Sequence, residues 1–128
     1  PAHDAAVRAA IESVERASVA CPLTRRWGRT LSAEYKSGAC HAGRYETSLL
    51  LAADPSLVDR ERAKQLPSLT TSLSDGMRSG QQTFAEMGLD EAYTGAPGEA
   101  TAREGDDLLD RLATMVVTEV CEGLGIAV

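Results

Sequence analysis

The sequence predicts an α/β layer fold, and three observations carry the prediction. An amphipathic helical stretch near the start runs straight into a short apolar segment with the composition of a buried strand. A run near the middle, "SLLLAA", is too uniformly apolar to be a surface helix. The C-terminal stretch carries a long helical stripe. Helix followed at once by buried strand is the rhythm of layered α/β domains. At 128 residues the chain is a single domain's worth of protein with room for a modest core.

The elements follow in order. In "HDAAVRAAIESVER", Val7, Ala10, Ile11 and Val14 recur at helical spacing, and Asp4 stands where a carboxylate suits the helix dipole. "ASVACPL" reads as a buried strand with Pro22 near its end. Residues 24–40 mix charge, aromatics and glycine without a period and read as loop, with a short extended piece near Leu31. A turn through Ala42 and Gly43 opens a helix of roughly Tyr45 to Ala53, stopped by Asp54-Pro55. From Val58 to Leu89 the pattern weakens into Ser, Thr and Gly, suggesting loops, short strands and contact surface, and "AYTGAP" reads as a short strand ending in a turn. Last comes a helix from about Ala100 to Glu122, with Leu108, Leu109, Leu112, Val116, Val117 and Val120 on one face. Gly105 inside it points to close packing, and Gly123 and Gly125 end it.

A formal charge of -6 argues against nucleic acid as partner, since phosphate-backbone binding needs a concentrated Lys/Arg surface. The one basic cluster, Arg25, Arg26 and Arg29 around Trp27, reads as an anion contact or a subunit contact. No apolar run approaches the roughly 18 residues a spanning helix needs, and "PAHDAAVRAA" carries no secretory pattern. Cys21, Cys40 and Cys121 are odd in number and widely spaced, neither a disulfide framework nor a zinc knuckle, which points to a reducing cytoplasm. The chain begins at Pro1, which fits Met removal or proteolytic processing alike.

The chemistry concentrates in "GACHAGRYETSLLLAADPSLVD", residues 38–59. His41 and Glu46 are five apart, not the i, i+4 spacing of a helical ligand pair. The small residues between them let the backbone turn tightly, so that the histidine hangs from a loop end while the glutamate enters on the first helical turn. Spacing alone leaves both roles open. Glu46 reads equally as a first-turn carboxylate favoured by the helix dipole, by about 0.3 to 1 kcal/mol, and His41 as an ordinary turn histidine. Thr47 and Ser48 read as first-turn hydroxyls, and Cys40 as a small buried hydrophobe.

"HAGRYETSLLLAADPSLVD" resembles the creatininase (creatinine amidohydrolase) family, whose later half carries H-[AG]-G-x-[YFW]-E-T-S, a short apolar helix and then P-x-L-V. His41, Gly43, Tyr45, Glu46, Thr47, Ser48, Leu49, Pro55, Leu57 and Val58 fit it. "TGAPGEATAREG" resembles a second family segment, through Gly95, Pro97, Ala100, Thr101, Glu104 and Gly105. The resemblance implies a three-layer α/β fold with a mostly parallel sheet, and metal-dependent hydrolysis of a C–N amide bond in a small molecule or peptide. It implies a binuclear centre of Zn, Mn or Fe. His41 corresponds to the residue that shuttles a proton or stabilises an oxyanion, and Glu46 to the acidic residue at the metal, as ligand or in support of one. Arg44, Tyr45 and Trp27 are the candidate substrate-binding residues.

The family's E-x-H-G-x-H-L-P-like segment, its downstream Asp and its H-G-G-N segment have no counterpart in this chain. The resemblance therefore implies the C-terminal half of a creatininase-like domain. A complementary N-terminal chain would hold most of the metal ligands in a hetero-oligomer, because a binuclear centre takes roughly four or more protein ligands. His3 could face the same site or be an ordinary terminal histidine. The competing expectation is a non-catalytic structural or regulatory partner built on the same half.

Overall fold

A computed structural model describes residues 2–127 apart from Arg16, Pro22 and Leu23. Pro1, Pro22 and the Asp4 side chain thus lie outside the described residues. The described chain is helical throughout its regular structure: α1 (Ala2–Ile11), α2 (Arg25–Gly28), α3 (Ala33–Ser37), α4 (Arg44–Ala53), α5 (Arg60–Gln65), α6 (Leu73–Arg78) and α7 (Ala102–Leu124), with 3₁₀ turns at Pro55–Leu57 and Pro97–Glu99.

This overturns the expected α/β fold with its mostly parallel sheet. Among the described residues no strand forms, and the only ladder-like pairing is an isolated antiparallel bridge between Leu69 and Gly95. The reason is physical. "ASVAC" has no regular structure over 17–21 and no described strand beside it, and a lone strand leaves its backbone groups without a ladder. "AYTGAP" is cut short by Gly95, at φ +111°, and by the 3₁₀ turn that Pro97 starts. The expected loop at 24–40 holds α2 and α3, and the weakly patterned region holds α5 and α6. Among the described residues no helix is long and apolar enough to cross a membrane.

The architecture rests on α4 against α7. α4 buries Tyr45, Ser48 and Leu51, and α7 buries Gly105, Leu108 and Met115. Leu31, Tyr45 and Leu108 form the core cluster, flanked by Tyr35, Leu49 and Leu112. At the crossing, a Cβ placed on Gly105 would lie 1.9 Å from the Ser48 carbonyl oxygen and 2.7 Å from the Ala52 Cβ. The backbones touch because residue 105 has no side chain. Ser48, wholly buried, uses its hydroxyl to accept from the Thr101 N–H just ahead of α7. Thr101 in turn caps α7 by accepting from the Glu104 N–H.

α2 is pinned to the other half of α7. The Trp27 indole donates to Glu119, Arg26 makes two 2.7 Å hydrogen bonds to Glu122, and Arg111 donates to the Thr30 carbonyl. The apolar stripes run further than the core covers. Val14 is 55% exposed, and Val116, Val117, Val120 and Leu124 on α7 are 46–54% exposed. Periodicity identified the apolar face; among the described residues nothing covers that part of it.

Gly105→Ala reverses the usual preference for alanine in a helix, worth about 1 kcal/mol. The Ser48 carbonyl must be pushed away, and urea unfolding will show a loss of about 3 kcal/mol. The phenol of Tyr35 is raised from 10.0 to about 12, by burial first and then by Tyr45, Cys40 and Cys21. A phenol raised in the folded state adds stability that is complete below pH 10 and is lost as pH climbs toward 12. Tyrosinate absorbance followed alongside unfolding will show the two changes together in that window.

Candidate functional site

The site is built around the N-terminus of α4, whose N-cap, Gly43, has no side chain to offer. Glu34, on α3, takes its place. One carboxylate oxygen accepts from the Tyr45 N–H at 2.7 Å, and the other from the N–H groups of Arg44 at 3.0 Å and Ala96 at 2.7 Å. A single side chain thus caps α4 and ties the 94–96 loop to it. Two glycines make the room: a Cβ on Gly43 would lie 2.7 Å from this carboxylate, and one on Gly95 2.5 Å.

The turn ahead of α4 presents the expected pair. Ala42 adopts a left-handed conformation, φ +48°, which costs a non-glycine residue on the order of 1 kcal/mol. Glu46 compensates by accepting from the Ala42 N–H at 2.7 Å. The His41 carbonyl accepts from Thr94, whose own hydroxyl donates to the Thr71 carbonyl. The backbone on both sides of the imidazole is thereby fixed.

His41 Nδ1 stands 3.8 Å from Glu46 Oε2, with both side chains a little under half exposed. The two groups face one another without a direct hydrogen bond. The other neighbour of the imidazole is Phe84, stacked with ring centroids 4.9 Å apart and planes 18° apart. Phe84 also lines an apolar cavity of about 420 Å³ with Leu73, Met77 and Met87. Burial, then the charges of Glu46 and Glu34, push the Cys40 thiol up. It stands beside the pair as a neutral side chain.

The family described as creatinine amidohydrolase matches residues 2–120. The chain belongs to the creatininase family. No curated protein and no solved structure matches it.

Creatininases are generally metal-dependent, and that need falls on the donors the site presents. His41 and Glu46 offer an imidazole nitrogen and a carboxylate oxygen, donor types that zinc and its neighbours accept. Among the described residues no group of three His, Cys, Asp or Glu side chains converges on a point. The pair fits one wall of a metal site and does not amount to a complete one.

The other expected creatininase residues lie elsewhere. Arg44 turns toward α7, where its guanidinium bonds Glu104 and Glu99, and the Glu104 bond chiefly raises it above its ordinary value. Tyr45 is a core residue, 6% exposed, with its ring 5.0 Å from Tyr35. Trp27 is buried under Arg26, which lies 4.5 Å over its ring, and is bonded to Glu119 on α7. His3 is exposed on α1. Glu34 and Phe84 were missed by sequence reasoning. The signal available for Glu34 was the glycine in each motif segment, each a place where something had to come close.

Glu34→Ala strips three N–H groups of their acceptor and will cost about 3 kcal/mol in thermal unfolding. Glu34→Gln will restore only part of this, because its amide nitrogen turns a donor toward a donor.

Proposed function

We propose that this chain is a subunit or processed fragment of a metal-dependent amidohydrolase of creatininase type, hydrolysing a C–N amide bond in a small molecule or peptide. The observation that carries the reading is the His41–Glu46 pair, held at a fixed turn on the rim of an apolar cavity. When bound, a divalent pair of Zn, Mn or Fe supplies an activated water and polarises the amide carbonyl. The protein's own part is positional. Glu46, fixed by the Ala42 N–H, presents one oxygen toward the ion or its water. It also faces Nδ1 of His41, which leaves Nε2 to pass a proton to the departing nitrogen. Stacking on Phe84 keeps the ring in one plane, and the cavity behind Phe84 takes an apolar flank of the substrate.

A complementary N-terminal creatininase-like chain holds most of the metal ligands in this reading, which makes the active form a hetero-oligomer. Support comes from the two-donor set and from the uncovered stripe along α7, an apolar surface of the kind that marks an interaction site. The three unpaired cysteines support a cytoplasmic setting. The same two-donor set favours a second reading, a creatininase-like partner without turnover of its own.

One assay separates the two. In the assembly reconstituted with the complementary chain, His41→Ala and Glu46→Gln will each lower kcat on the order of 10² or more, as expected for a general acid–base group and its support. Metal content and oligomeric state are measured on the same samples. Near-normal turnover in both variants overturns the catalytic reading in favour of the non-catalytic partner.

A further inference from the structure

The molecule carries net negative charge, yet one of its cavities is lined on the charged side by cations alone. It measures about 440 Å³ and lies among α2, α3 and α6, with Arg25, Arg29, Lys36 and Arg78 in its wall beside the hydroxyl residues Thr24 and Ser74. Among the described residues no carboxylate lines it. Arg78 is engaged by Asp75. Among the described residues no ion pair involves Arg25, Arg29 or Lys36, whereas Arg26, one position along, is fully occupied by Glu122 and Glu119. Arg25 and Arg29 are four apart and fall on the same side of the α2 turn, and Lys36 from α3 joins them in the wall.

Thr24 also lines this cavity, and its hydroxyl oxygen is buried and has no hydrogen-bond partner among the described residues, a state rare in folded proteins. Arg25, Arg29 and Lys36 are exposed residues whose like charges share one wall, and a bound anion offsets their mutual repulsion. Three unpaired positive charges exceed what one carboxylate can balance. A phosphate group, with two negative charges and three acceptor oxygens, matches both the charge and the donors.

We propose that this cavity is a binding site for the phosphate group of a small molecule, separate from the His41–Glu46 site. The guanidinium groups of Arg25 and Arg29 clamp the phosphate oxygens, and Lys36 adds a point charge.

The test is calorimetric titration of the full chain with inorganic phosphate at low ionic strength and about pH 8, where phosphate is a dianion, with succinate as the dicarboxylate comparison. One saturable site is expected at about millimolar phosphate, with weaker succinate binding. Arg25→Ala/Arg29→Ala will weaken phosphate binding at least about tenfold, and Lys36→Gln will weaken it less. Arg103→Ala, exposed on α7 and outside the cavity, will leave it unchanged. Circular dichroism confirms that each variant is folded. Absence of phosphate binding, equal affinity for succinate, or wild-type affinity in the folded double variant overturns the proposal. Because the readout is binding of an ion, it stands or falls apart from the amidohydrolase reading.

Discussion

The carboxylate of Glu34 is the constraint on which the rest of the molecule depends. Three backbone amides from two distant parts of the chain converge on it, at sequence separations of 10, 11 and 62. Such bonds to an ionised acceptor are the strong members of their class, and losing the acceptor would leave the N-terminus of α4 without a cap. Through Ala96 the same group fixes the loop that leads into α7. The position of the α4 turn, the position of α7 and the approach of α3 are therefore one geometric fact.

The His41–Glu46 arrangement is a by-product of that anchoring. Once α4 starts at Arg44 and the Thr94 amide holds the His41 carbonyl, two residues remain to reverse the chain, and Ala42 takes the left-handed conformation. Glu46 answers the strain by bonding the Ala42 amide, which also brings its carboxylate opposite the imidazole. One rotamer of Glu46 both bonds the Ala42 amide and stands opposite the imidazole, so its contact with the turn is compatible with the proposed chemical role.

Parts of this were legible in the sequence. The apolar run closed by Asp54-Pro55 and the C-terminal stripe gave α4 and α7 to within two residues at each end, because long periodic segments with defined stops are what pattern reading handles well. The tight turn followed from small residues between His41 and Glu46. The sheet was misread because a run as short as "ASVAC" has no periodicity to separate a buried strand from the exposed to half-buried irregular segment it forms, and because pairing depends on a neighbour that the run itself does not name. Glu34 stayed hidden for a related reason: it lies in an unpatterned segment, and its partners are backbone atoms, which leave no mark on side-chain composition. Tyr45 shows the opposite case, a motif aromatic that serves the core.

The contact at Gly105 has a mechanical corollary. With no side chain between them, α4 and α7 meet backbone to backbone, and a helix of 23 residues, about 34 Å long, is fastened at one end to the segment that carries the imidazole. Its far end, with the bare valines, cannot tilt without prising that joint apart. Any surface that seats on those valines is indexed to His41 as a workpiece is to a jig. Docking far along the rod would set position at the His41 end to within the stiffness of a single helix.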